Sequence, residues 1–480
     1  MKKLVLTLTA AMIFSWQAMG FAASSVDSLI QKLEDKGILT QQDAAQLKGE
    51  ISQNEQASQQ STFKSMLPDW VNNIKLTGDF RFRDQIQERK IPGGDLGSSP
   101  TTGTGFGTRN LHQNRARIRA RINFEDQIND QFKVVVGIAT DGGTARSNNY
   151  TLGGSTSTNK DNATFSDSFG KPSLILNKAY AVYTPNSMIT AEVGKMDNPI
   201  WEPANASFFW DPDITPEGGS LQLQKKINDY VTPWVQADVF DLHDATPTNG
   251  TKTDPFMMVL QGGAKGNLTD KIYYKAAASW YDVNNPSHLV FGQSLGTNTQ
   301  ITAAQSASGS AALKYNFRDV IVVGAEFGMN DPLGELLDNI PTPDYLPHPY
   351  IAQIGVFGDY AENQDTGDDQ NKAWEMGAYM GNSAINGWGT WKIQSYYKTL
   401  ERDSWLDIFP DDDFYSGDTN TKGWRTQLDI GLAKNVWFTM SYFRTNIFKD
   451  YTTVSTLTPT SAFSHSGPES LYQMDLNFKF

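Results

Sequence analysis

Across 480 residues the chain has no cysteine, only five histidines and a charge balance short of cations, with 40 Lys and Arg against 53 Asp and Glu. Each shortage excludes something. Without cysteine there is no disulfide framework, no thiolate metal site and no covalent haem attachment. His112, His243, His288, His348 and His465 fall in loops or at loop edges, and none stands in a GxSxG or HExxH setting. No catalytic residue, cofactor or metal is therefore expected. The net charge of −13 lacks the clustered Lys and Arg that a nucleic-acid surface needs. Beyond the first residues no run approaches twenty apolar residues, which excludes a helical membrane span.

What is present begins with Lys2 and Lys3, an apolar run from Leu4 to Trp16, and small residues at Ala18, Gly20, Ala22 and Ala23. This pattern predicts a secretory signal peptide over 1–22. Its removal leaves 38 basic against 53 acidic residues, a net charge of −15. Residues 26–55 have a helical rhythm: Leu29, Ile30 and Leu33 form one apolar face, Gly37 breaks it, and Ala44, Leu47 and Ile51 form another. A periplasmic helical hairpin is expected, with a trimerising stalk as the alternative. A linker rich in Gln and Ser completes this head over 23–62.

The last residues read YQMDLNFKF. Tyr472, Met474, Leu476, Phe478 and Phe480 alternate with Gln473, Asp475, Asn477 and Lys479, so a strand there has one apolar and one polar face. A strand between lipid and a wet lumen needs that arrangement. The ending resembles the carboxy-terminal assembly signal of bacterial outer-membrane proteins, which implies recognition by the barrel-assembly machinery. Similar alternation recurs from Ile74 onward in seventeen segments. Short turns such as Ile128 to Asp130 and Arg318 to Asp319 interleave with long connections such as Asp141 to Lys171. The expected fold over 63–480 is all-β: a transmembrane antiparallel β-barrel of about 18 strands, or 16 as the alternative. Both ends should lie on the periplasmic side, which requires an even number. The missing strand is placed between Asn330 and Tyr350, where prolines blur the pattern. A barrel of that size encloses water rather than a packed core.

Arg115, Arg117, Arg119 and Arg121 occupy alternate positions, and Arg81 and Arg83 share that logic on the preceding strand. With Phe80, Phe82, Ile118 and Ile122 turned to lipid, six guanidinium groups line one wall of the lumen. The wall either sets permeation, by concentrating anions, or braces the barrel by pairing with carboxylates such as Asp79 and Glu125. The connection Met196 to Thr215, followed by Pro216 and Glu217, carries Trp201, Phe208, Phe209 and Trp210. So apolar a loop is expected to fold into the lumen as a constriction, with Glu202, Asp211, Asp213 and Glu217 opposing the arginines. Capping the barrel or packing on a neighbouring subunit is the alternative. The acidic runs Asp365 to Asp369 and Asp411 to Asp413 read as a hydrated, repulsive exterior, with divalent-ion bridging to lipid headgroups as the alternative.

The segments GDFRFR (Gly78 to Arg83), RARIRARINFEDQIND (Arg115 to Asp130), AEVGKMDNP (Ala191 to Pro199) and WDPDITPEG (Trp210 to Gly218) together resemble a bacterial putative porin family. The stretch LEDKGILTQQDAAQL (Leu33 to Leu47) resembles the short helical head seen there and in phosphate-selective porins. The resemblance covers nearly the whole mature chain. It implies an outer-membrane channel, a homotrimer, set among lipid and lipopolysaccharide and passing small hydrophilic solutes. Phosphate selectivity does not carry over, because no further lysine cluster is present. The competing expectation is a scaffold, adhesin or cytochrome-sheathing barrel with little open-channel activity.

Overall fold

The alternating segments become strands, and the strands close on themselves. The computed structural model describes residues 74–92, 108–143, 145–151, 173–243, 254–286, 297–301, 312–313, 315, 317–334, 351–366, 369–449 and 467–480. The expected signal peptide, helical head and linker lie outside the described residues.

The first strands are β1 (Ile74–Pro92), β2 (Thr108–Gln127), β3 (Phe132–Thr140), β4 (Tyr150–Thr151), β5 (Leu174–Asn186), β6 (Ile189–Lys195) and β7 (Glu217–Gln224). Next come β8 (Thr232–Asp241), β9 (Phe256–Asn267), β10 (Ile272–Asn284), β11 (Gln300–Ile301), β12 (Ala312–Leu313) and β13 (Phe317–Asn330). The last are β14 (Gln353–Asn363), β15 (Lys372–Gly381), β16 (Trp391–Leu400), β17 (Thr421–Ala433), β18 (Val436–Ile447) and β19 (Glu469–Lys479). Each pairs antiparallel with its neighbour, and β1 pairs with both β2 and β19. The ring holds 16 strands, with β4 as an extra strand on β2. The small β11–β12 sheet stands apart from it.

The count is the lower of the two expected, and the reason is local. Every ring strand coincides with one of the seventeen alternating segments. The remaining segment, Ala311 to Phe317, holds β12 and only the first residue of β13. Arg318 and Asp319, read as a turn, lie within β13. No strand is needed between Asn330 and Tyr350, because β13 and β14 pair directly, Asn330 opposite Gln353. Most of that connection lies outside the described residues.

Burial is inverted relative to a water-soluble sheet. On β19 the polar Gln473, Asp475 and Asn477 are buried, whereas Tyr472 and Met474 are exposed. Phe80 and Phe82 on β1 are exposed, whereas Arg83, the next residue, is 4% exposed. Polar groups inside and apolar groups outside suit a wall between lipid and water. At the seam, Phe480 and Gly78 exchange backbone bonds at 2.9 and 3.0 Å, leaving no open edge there.

Candidate functional site

The ladder register brings the arginines together. Across β1 and β2, Arg81 stands opposite Arg119, Arg83 opposite Arg117, and Asp79 opposite Arg121. Their pairing differs residue by residue. Arg83 donates from Nε and Nη2 to the two carboxylate oxygens of Asp475 at 2.8 and 2.9 Å, and from Nη1 to Asp413 at 2.8 Å. Arg119 donates to Asp79 and Asp213 at 3.1 Å each. Arg121 donates to the same two residues at 2.7 and 3.3 Å. Arg117 donates to Gln85, Ser147 and the Asn149 carbonyl, and Arg115 to Gln87. Arg81 donates to Asn149 and lies 3.6 Å from Asp475, already held by Arg83.

The connection between β6 and β7 crosses the interior. Its Trp201 N–H donates to Gln261 of β9, its Ala204 N–H to Glu326 of β13, and its Ser207 carbonyl accepts from Lys398 of β16. With Asp213 held by β2, the segment is tied to strands around the ring, which requires it to run inside. Its aromatic residues supply the reason. Phe208 stacks on Phe209 at 4.5 Å, Phe209 on Trp405 at 4.6 Å, and Trp210 packs on Phe409 at 4.6 Å. All five are nearly fully buried.

Trp405 and Phe409 belong to a second inward connection, between β16 and β17, which the sequence reading passed over. It carried the same signal, since Trp405, Leu406, Phe409, Phe414 and Tyr415 lie within a few residues of one another. Asp411 to Asp413 belong to it and are not a hydrated exterior: Asp411 is 4% exposed and Asp413 is bound to Arg83. A third inward piece, Arg146 to Asn149, is buried, and Arg146 donates to the Asp407, Pro410 and Gly417 carbonyls.

The four carboxylates expected to oppose the arginine wall divide. Asp213 bridges Arg119 and Arg121 and accepts from the Asn148 N–H at 3.2 Å. Asp211 faces Asp411 and Asp412 instead, with carboxylate oxygens of all three within 4.8 Å. Glu202 turns back on its own segment, accepting from the Phe208 and Phe209 N–H groups. Glu217 is the first residue of β7 and pairs with Lys195 at 2.7 Å. Trp201 lies edge-on to Trp234 with Lys275 over its ring at 4.6 Å, and Trp210 sits in the aromatic cluster.

The environments separate these loop carboxylates. Burial would raise Asp213, but Arg119, Arg121 and Arg81 hold it below the usual range. Burial likewise opposes ionisation of Asp413, yet Arg83 and Arg117 hold it well below that range. Burial, then Asp413 and Asp411, push Asp412 up to about 8. Burial with Asp412 and Asp411 raises Asp211, and burial with Asp413 raises Asp411. Glu202 is raised by burial to about 7 despite its backbone bonds.

A closed antiparallel barrel of this size, apolar outside and charged inside, with polypeptide turned into its interior, defines the porin class of membrane barrel. The family model described as "Putative porin" matches residues 37–307 and 350–480, and the chain belongs to that family. Membership supports a porin role, implies the outer membrane and points away from an enzyme. The solved structures similar to this chain include engineered variants of the Rhodopseudomonas blastica porin. One is 13% identical with a TM-score of 0.37, another 11% with 0.36, each covering 85% of this chain and 100% of its own. No curated protein matches the sequence.

Proposed function

We propose that the protein is a passive channel for small hydrophilic solutes, with the arginine wall and the inward β6–β7 connection forming its selective passage. The observation that carries this reading is the contact of Asp213 with Arg119 and Arg121, which sets a loop carboxylate against a row of interior cations. The contact pins the loop beside the arginine wall, and the charge left unneutralised there orients polar solutes in passage. Six arginines face four bound or shared carboxylates, Asp79, Asp213, Asp413 and Asp475, and the excess favours anions. Screening within about 8 to 10 Å limits what distant acidic loops contribute.

The test is reconstitution in a planar bilayer under a KCl gradient. Ohmic steps with a chloride-selective reversal potential are expected, weakened in Arg117→Ala and Arg119→Ala. Cation selectivity would move the filter to the acidic residues. Unchanged conductance after deletion of residues 197–215 would remove the constriction from the proposal. A second reading, a scaffold or sheath with a closed lumen, draws on the two inward connections that share the aromatic cluster and on Arg146, which is bonded to the second of them, and absence of current would favour it.

The terminal alternation Tyr472, Met474, Leu476, Phe478, Phe480 acts as the signal read by the assembly machinery. The homotrimer is supported by β6 and β7, at 7 and 8 residues shorter than the roughly 9 to 11 that span a bilayer. A neighbouring subunit would cover what lipid does not, and chemical cross-linking in mild detergent should give trimers.

A further inference from the structure

Near the end of β19 the barrel wall lines an open cavity of about 640 Å³. That volume lies within the range of ligand pockets, roughly 300 to 1,000 Å³. Its turn-side rim includes Asn386, Asn435 and Phe480. Its wall holds four cations, Arg81, Arg83, Arg425 and Lys479, and two carboxylates, Asp429 and Asp475, an excess of two positive charges. The carboxylates are already engaged: Asp475 grips Arg83 through both oxygens, and Asp429 accepts from Gln427 at 2.9 Å and Thr439 at 2.5 Å.

Arg81 and Arg425 are left under-satisfied. Among the described residues the Nε of each finds no acceptor, but it is too deeply buried to meet a ligand, so the donors left for one are on the Nη atoms. Among the described residues Arg81 has the Asn149 side chain and a share of Asp475 at 3.6 Å. Arg425 donates to Gln427 at 2.7 Å and to the Tyr396 hydroxyl at 3.4 Å, and Asp411 comes no closer than 4.0 Å. A guanidinium with unused donors in a partly desolvated wall is matched by a carboxylate, which takes two parallel N–H bonds. Trp437, on the same wall, offers a flat apolar face to a short carbon chain.

We propose that this cavity is a binding station for small dicarboxylates, one carboxylate held by Arg81 and the other by Arg425, an inference that rests on the porin reading above. The excess of two cations sets the number of carboxylates. The Arg83–Asp475 pair lines the same cavity.

The experiment uses the full-length protein in a planar bilayer in dilute KCl, with succinate added to one side. Succinamide, its uncharged counterpart, and inorganic phosphate serve as comparisons. Succinate should interrupt the current in a concentration-dependent way, and succinamide should not. Arg81→Gln and Arg425→Gln should each raise the half-blocking concentration about tenfold, while Arg81→Lys, which keeps charge but loses the fork, raises it less. Lys226→Gln, in an exposed turn, should leave it unchanged. Equal inertness of succinate and succinamide in a conducting channel overturns the station while leaving the porin reading intact. Block by phosphate as strong as by succinate overturns the dicarboxylate class. Block unaltered in both Gln variants overturns the assignment to these arginines. Should those variants fail to fold, the comparison of succinate with succinamide and phosphate on the unaltered protein still decides. A protein that passes no current at all overturns the porin reading itself.

Discussion

Arg81 and Arg83 lie two positions apart on one face of one strand, yet their surroundings give them different work. Arg83 satisfies two carboxylates with three bonds of 2.8 to 2.9 Å, so its loss strands Asp475 and Asp413 in a low-dielectric wall. Arg83→Ala should therefore cost about 3 kcal/mol in denaturant unfolding from micelles, whereas Arg81→Ala, whose carboxylate neighbour stays bound to Arg83, should cost less than about 1 kcal/mol. Asp412 supplies a pH dependence. Its folded value, about 8, lies above that of an unfolded aspartate, so the stability it lends is complete below about pH 4 and is lost as the pH rises through 8. Asp413, held low by Arg83 and Arg117, works in the opposite sense at acid pH. Current noise should thus grow between pH 7 and 9, and Asp412→Asn, locked in the neutral form, should remove that growth.

At the scale of the element, the strands were legible and the inward connections only in part. Period-two alternation such as Phe80, Arg81, Phe82, Arg83 is visible in one chain because each residue faces either lipid or lumen. The seventeenth segment failed because alternation says nothing about partners: Ala312–Leu313 pairs with Gln300–Ile301 outside the ring. Asp213 was legible through the aromatics beside it. Asp475 stood in plain view on the polar face of the last strand, but its pairing with Arg83 depends on closure across 392 residues of sequence, which no local pattern reports. Asp413 misled for the same reason, since its cation, Arg83, sits on β1. The two inward connections hold each other through Trp405, which stacks on Phe209 and meets Tyr281 at 4.9 Å. Trp405→Ala should cost about 3 to 5 kcal/mol. It should also make both connections susceptible to added protease while the ring itself stays intact, as seen by retained heat-modifiable mobility on a gel.

For the whole molecule the decisive feature is the seam between β1 and β19. Gly78 is open enough there for Phe480 to lie across it: a Cβ at Gly78 would come within 2.4 Å of the Arg121 carbonyl and 2.6 Å of the Phe480 ring. Gly78→Val should therefore impair folding, read as a lower temperature of conversion to the slow-migrating unfolded form. The other 15 junctions of the ring join neighbours in sequence and can form as the chain lengthens. Only the seam closes the ring, and it must wait for the final strand. Until then both flanks of the growing sheet carry unpaired N–H and C=O groups that hydrocarbon cannot satisfy. A version of this chain ending before Glu469 would accordingly be no narrower channel but a curled ribbon with two raw margins, dependent on whatever shields them from the bilayer.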